Sequence, residues 1–272
     1  MTNEYTVTRW GAVDQTAEPD AFVRYLDTVS ALETAQRMKR QTYDLLKVRE
    51  GYHLLDVGCG LGEDVRELAQ RVGSAGRVIG VDSSETMIAE ARKRSEGMNL
   101  PGEFFVADAQ QMKFPDNTFD GCRADRIFVH LDNPLLALIE MVRVARLGAH
   151  LVVLDADWET LVVDIPDRTI TRKLLSFFCD SSGSRWIGRQ LRRLFLEAGL
   201  TEVRVFADTL ILSDYTQANQ IFKLQETAAH AQAAGIISPA EVTSWLNSLK
   251  QAHLAGKFFS ALTFFCASGC KT

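Results

Sequence analysis

The stretch Leu54 to Asp64, LLDVGCGLGED, ends a buried apolar run with Asp56 and then places Gly58, Gly60 and Gly62 at alternate positions. Glycines at such spacing let a chain turn sharply and bring its backbone close to a ligand. The dinucleotide fingerprint keeps two residues between its second and third glycines; here there is one. Glu63 and Asp64 follow in the first helical turn, where they suit the helix dipole but repel a phosphate. A cationic or zwitterionic ligand is therefore expected. Two further acids fit the same site. Asp82, in RVIGVDSS, lies 24 residues after Gly58 and can accept hydrogen bonds from both hydroxyls of a ribose. Asp108-Ala109, in FFVADAQQ, sets a carboxylate beside a backbone N–H, a pair that can read an adenine edge. Each acid alone would equally suit a turn or a cap.

Three strand ends must converge for these groups to act together. YHLLDVG, RVIGVD and GEFFVADA read as short buried strands, FDGCRADRIFV holds a fourth and AHLVVLDADW a fifth. Between them, EDVRELAQRVG reads as an amphipathic helix closed by Gly73. SETMIAEARKRSEGM is a second helix with Ser84 as its cap. NPLLALIEMVRVARLG is a third, stopping at Gly148. This alternation predicts βαβ units and a parallel sheet. Residues 20–47 carry apolar positions at helical spacing, as one long or two shorter helices starting near Glu18-Pro19-Asp20. Later, IGRQLRRLFLEAGL is a helix, VRVFADTLILS a strand, 215–256 a helical insertion with a Ser238–Glu241 capping box, and KFFSALTFFCASG a closing strand. The whole reads as one domain over 1–272, with 1–48 a helical cover and 160–185 and 215–256 a substrate lid.

Composition narrows the function. The 272 residues carry a formal net charge of −5, a poor match for nucleic acid. No apolar run reaches the roughly 18 residues of a membrane helix, and MTNEYTVTRW lacks the pattern of a signal peptide. Five scattered cysteines predict reduced thiols, a cytoplasmic setting and no metal site.

Taken in order, LLDVGCGLGED, VIGVDSSETMI, FVADAQQMKFPDNTFD and EMVRVARLGAHLVVLD resemble the class I S-adenosylmethionine-dependent methyltransferases, in their ubiquinone/menaquinone-biosynthesis-like, small-molecule branch. The resemblance implies an α/β, Rossmann-like seven-stranded sheet with its last strand antiparallel and helices on both faces. It implies S-adenosylmethionine as donor. Carried over, Asp56 and Gly58, Gly60 and Gly62 lie at the methionine part, Asp82 takes the ribose, and Ser83 or Met87 packs beside the adenine. Asp108 and Ala109 read its amino edge, and the backbone near Arg123 faces the methionine amine.

The sulfonium is already activated, so the protein mainly aligns the acceptor and excludes water. A base is needed only where the acceptor must lose a proton. His130, in RIFVHLDNP, is the histidine expected near the pocket mouth. Asp125 and Arg126 share its loop. Asp155, Asp157 and Trp158, in DADWET, are expected at the cleft or its rim, with His130 and Asp157 the candidate catalytic pair. Tyr25, Phe177, Phe178, Trp186, Tyr215 and Phe222 are candidate pocket walls. CRADRIF stands where enzymes that methylate nucleobase amines carry an Asp/Asn-Pro-Pro-aromatic motif. The expected acceptor is thus a small molecule, methylated on oxygen or nitrogen rather than carbon, by a monomer or homodimer. Two alternatives are an NAD-dependent oxidoreductase, which the glycine spacing disfavours, and a non-catalytic S-adenosylmethionine-binding protein, which only turnover separates.

Overall fold

The computed structural model describes residues 10–181 and 183–272, so the first nine residues of the expected cover lie outside the described residues. The 20–47 stretch is two helices, α1 (Pro19–Ser30) and α2 (Glu33–Leu45). They are separated where Leu32 adopts an extended backbone. There follow β1 (His53–Val57), α3 (Glu63–Val72), β2 (Arg77–Asp82), α4 (Glu85–Ser95), β3 (Gly102–Val106), β4 (Phe119–Asp125), α5 (Pro134–Val144) and β5 (Ala145–Ala156). The second half contains β6 (Val162–Val163), α6 (Arg168–Asp180), α7 (Ile187–Glu197), β7 (Thr201–Leu212), α8 (Tyr215–Phe222), α9 (Leu224–Ala233), α10 (Pro239–Leu254) and β8 (Ser260–Cys270).

The central strands β1, β2 and β4 are buried along most of their length, which is why Leu54-Leu55 and Val78-Ile79 read as apolar runs, while β4 carries Arg123 into the same core. Helix α3 buries Val65, Leu68, Ala69 and Val72, the i, i+3, i+4, i+7 stripe of an amphipathic helix. Strands β3, β2, β1, β4 and β5 pair in that order and in parallel. Strand β8 then pairs antiparallel with β5 on one side and β7 on the other. The closing strand is thus antiparallel, as expected. The sheet has eight strands rather than seven because the two-residue β6 adds to the start of β8. Helices α8, α9 and α10 are inserted between β7 and β8, which still pair from Arg204↔Ser268 to Leu212↔Ser260.

Two local readings gain detail. The capping box forms, with Ser238 accepting from Glu241 N–H and the Glu241 side chain accepting from Ser238 N–H. Helix α5, however, stops at Val144 rather than at Gly148. The Arg143 and Val144 carbonyls accept from Asn117 and Thr118 N–H, and Lys271 Nζ reaches the Ala145 carbonyl at 2.8 Å. Those cross-chain partners end the helical ladder, and Ala145–Leu147 begin β5 instead.

Candidate active site

The carboxyl ends of β1, β2, β4 and β5 open onto one cavity of about 500 Å³. One half is built by the glycine loop and the loops after β2 and β3. Gly58 and Gly60 line it. Gly58 has φ +70°, and a Cβ there would fall 2.1 Å from Ile127 Cγ2, so no larger residue fits without moving that wall. Gly62 lies outside the lining. It holds the start of α3 at φ +73° against the Phe104 ring, where a Cβ would come within 2.6 Å. It shapes the turn into α3, between Leu61 and Glu63, which do line the cavity.

Four of the loop's backbone donors are already used. Gly58 and Cys59 N–H donate to the Val81 carbonyl, Gly62 N–H to the Cys59 carbonyl, and Gly60 N–H to Asp82 Oδ2 at 3.0 Å. A pyrophosphate site needs such donors free. Asp82 Oδ1 accepts from Ser84 N–H, also at 3.0 Å. Each carboxylate oxygen therefore keeps acceptor capacity toward the cavity, which suits a vicinal diol. Burial, the largest influence, pushes the Asp82 carboxyl above its ordinary range despite these bonds. Ser83, Met87, Asp108 and Ala109 line the same half. Met87 is buried, and its N–H donates to the Ser84 hydroxyl that caps α4.

Asp56 and Arg123 do not reach the cavity. The wholly buried Arg123 guanidinium bonds Asp56 Oδ1 at 2.7 Å, Thr42 Oγ1 at 2.8 Å and Asp125 Oδ2 at 3.1 Å. It lies 3.2 Å from Asp64 Oδ2. Lys39 Nζ bonds Asp64 at 2.9 Å and Glu63 at 2.6 Å, and Tyr43 OH donates to Asp64. Burial opposes ionisation of Asp64, but Arg123 and Lys39 outweigh it and hold that carboxyl well below its usual range. Asp56 and Arg123 are the rear of this network. Lys39, Glu63, Asp64, Asp125 and Arg126 are its cavity face. Residues two and three beyond Arg123, rather than the Arg123 side chain, line the cavity, because β4 carries Arg123 into the core before it ends at Asp125.

The other half of the cavity is mostly apolar. Trp10, Tyr25, His130, Trp158, Ile221 and Phe264 line it, together with Asp155 and Arg185. Trp10 lies 5.6 Å from His130 and 5.7 Å from Tyr25 between ring centroids. Tyr25 OH donates to the Ile221 carbonyl, tying α1 to α8 across the opening. Of the six aromatic residues expected as walls, Tyr25 alone lines the cavity. Phe178 and Phe222 pack edge-on behind Trp158, Tyr215 packs on Phe258, and Trp186 is half exposed. Phe177 packs against the core. Trp10 and Arg185 were missed, because neither stands in a periodic pattern.

His130 lines the cavity, but burial and then Arg185 push its imidazole down to about 3, so it is neutral at physiological pH. Asp157 turns away from the cavity. It sits at the N-terminus of α7, where Arg189 binds it through Nε at 2.5 Å, Nη2 at 2.8 Å and its backbone N–H at 3.2 Å. Asp155 takes the place expected for it. Wholly buried, it accepts from Val129 N–H at 3.0 Å and Ala156 N–H at 2.8 Å, and burial pushes its carboxyl up to about 7.

Comparison with known proteins agrees with this geometry. A family model described as a methyltransferase domain matches residues 54–148, from the glycine-loop strand to the start of β5. A protein of Streptomyces fradiae, described as an uncharacterized 37.1 kDa protein in transposon TN4556, is 37% identical over 257 residues, 94% of this chain and 72% of that one.

The chain belongs to the class I S-adenosylmethionine-dependent methyltransferases.

A demethylmenaquinone methyltransferase of Shouchella clausii is 26% identical over 196 residues, 66% of this chain and 83% of that one. Two further methyltransferase relatives are matched over 44% and 58% of their length. The crystal structure of the YcgJ protein from Bacillus subtilis superposes with a TM-score of 0.61 at 17% identity, covering 87% of this chain and 98% of that one, and shares the fold. The donor half of the cavity fits S-adenosylmethionine: Asp82 keeps acceptor capacity on both oxygens that suits a vicinal diol. Lys39 and Arg126 can meet the carboxylate of its methionine part, and Glu63 and Asp125 its ammonium. Bound there, the cofactor supplies an activated methyl group on a sulfonium.

Proposed function

We propose that this methyltransferase acts on a small molecule with an apolar ring, at a hydroxyl or amine rather than at carbon. The observation that carries the reading is the second half of the cavity, walled by Trp10, Tyr25, Trp158 and Phe264 beyond the donor residues. A groove of that size, enclosed by chain segments from both ends of the sequence, suits a compact apolar acceptor and not a nucleic acid strand. The N-terminal cover contributes Trp10 and Tyr25, and the first inserted helix contributes Ile221. In this reading they are the lid, while α6, α9 and α10 support it from behind. The aligned rings position the acceptor atom, and the closed cover excludes water. Among the described residues, no helix is long and apolar enough to cross a membrane.

The test is a structure with S-adenosylhomocysteine and a screen of hydroxylated and aminated ring compounds for methyl transfer. The reading expects the sulfur to point into the ring-lined half and at least one compound to accept the methyl group. A sulfur facing solvent would contradict it. Binding of the cofactor with no turnover on any acceptor would favour a non-catalytic role.

A further inference from the structure

We propose that Asp155 is the proton acceptor of the reaction, and that the acceptor presents a hydroxyl on an apolar ring held among Trp10, Tyr25 and Trp158. The proposal rests on the methyl-transfer reading above and deepens it.

Most of the buried or half-buried carboxylates that surround or back the cavity are paired with cations, Glu63 with Lys39 among them. Asp56 and Asp64 bind Arg123, Asp125 binds Arg123 and Arg126, and Asp157 binds Arg189. Asp155 differs. Among the described residues it makes no ion pair, although none of its surface reaches bulk solvent. Its two bonds come from backbone N–H groups, one to each oxygen, so each oxygen keeps acceptor capacity. A buried carboxylate without a cation is costly to keep. This one lines the apolar half of the cavity, at the end of β5, where a reacting heteroatom would lie. Its fixed orientation follows from the Val129 bond, since Val129 belongs to the short helical turn Phe128–His130 that also carries His130.

The groups around it favour this assignment over the rivals. Facing the same space are Asp125 and Arg126 from the end of β4, His130 from the short turn, Tyr25 from α1 and Arg185 from the loop before α7. Strand β8 packs against Asp155 through Phe265 and contributes no charge there. Asp125 is held by two arginines. His130 binds a proton weakly, for the reasons given above, and so cannot store one. Tyr25 is raised by burial and stays protonated. A neutral hydroxyl is a weak nucleophile that must lose its proton as it attacks, whereas a neutral amine already has a free electron pair. A dedicated buried carboxylate therefore fits a hydroxyl acceptor better.

The step balances. The acceptor O–H bond breaks and its proton passes to a carboxylate oxygen of Asp155. The O–C bond forms as the S–CH3 bond breaks, its electron pair remaining on sulfur. The products are a methyl ether, a neutral thioether and a neutral carboxylic acid.

The experiment uses the full chain, methyl-labelled S-adenosylmethionine and a panel of phenols and naphthols, from about pH 5.5 to 9. Calorimetric binding of S-adenosylmethionine is measured first; its absence would overturn this proposal together with the methyl-transfer reading. With the cofactor bound, the proposal expects labelled methyl ether, and kcat/KM rising with pH through about 7 as one proton leaves. Asp155→Asn should keep cofactor binding, lose about 10²- to 10⁴-fold in turnover and lose that limb. Asp155→Glu should recover part of the rate. Cofactor binding without ether from any phenol or naphthol would overturn the acceptor class and leave the methyl-transfer reading standing. A flat wild-type profile, or undiminished turnover in a folded Asp155→Asn, would overturn the role of Asp155.

Discussion

Ser84, at the N-terminus of α4, donates its hydroxyl proton to Asp14 Oδ1 at 2.8 Å, across 70 residues of sequence. Asp14 also accepts from the N–H groups of Glu85 and Thr86. The cover segment is thereby pinned to the helix that carries Met87, beside the adenosine end of the cavity. Asp14→Ala should weaken S-adenosylmethionine binding and speed its release, by about the 0.5–2 kcal/mol of a lost cap and toward the lower end because the site is exposed. Stopped-flow release kinetics would check this. Burial is the largest single influence on Asp14 and opposes its ionisation, but its bonds to Thr86, Ser84 and Glu85 together hold its carboxyl below the ordinary range. The latch is therefore fully present at neutral pH and is lost only as pH falls below the ordinary carboxylate range.

Gly58→Ala should cripple the donor site. The added methyl meets Ile127 Cγ2, and φ +70° is strained for alanine. A cost of about 1–3 kcal/mol is expected, read as a matching loss of cofactor affinity by calorimetry. A Gly51→Ala control, also at positive φ but with open space around it, should lower the melting temperature while sparing affinity.

Asp157→Ala should act on stability alone. It removes the partner of Arg189, which is half exposed and can turn to Glu159, already 2.8 Å from Nη1. Thermal unfolding should shift down by about 2–8 °C, the range of a broken charged hydrogen bond in a domain of this size. Cofactor affinity and turnover of the folded variant should be unchanged.

His130→Gln should lower turnover by less than about tenfold, as a wall residue, and keep any limb near pH 7. Burial keeps His130 neutral well below that pH, so it cannot be the group that titrates there. A pH–rate profile of the variant would show whether the limb survives.

Much of the fold was legible because its strands and helices carry distinct periods. LLDV, RVIGVD and the Val65–Leu68–Val72 stripe each match one element. That Gly58, Gly60, Asp82 and Asp108 line one cavity was legible because all stand at strand ends, and a parallel sheet brings those ends together. The acceptor half was less so. Asp155 and Asp157 differ by two positions and look alike in sequence. One faces the cavity and the other α7, because β5 ends at Ala156 and Arg189 claims the second acid. Trp10 reaches the cavity from the short 3-10 segment Trp10–Gln15 and Arg185 from the loop before α7, neither of which a periodic pattern encodes. The Arg123 side chain lies behind the cavity, since the strand buries it before releasing Asp125 and Arg126.

The central claim is that the loop at Gly58 and the carboxylate of Asp82 hold S-adenosylmethionine. Calorimetry of the wild-type chain and of Asp82→Ala, each with S-adenosylhomocysteine and with NAD, tests it most directly. The account predicts binding of S-adenosylhomocysteine that weakens at least about tenfold in Asp82→Ala, as expected on losing a charge-assisted hydrogen-bond pair, and no comparable binding of NAD. Equal affinity for NAD, or an Asp82→Ala variant that binds S-adenosylhomocysteine as the wild type does, would contradict it.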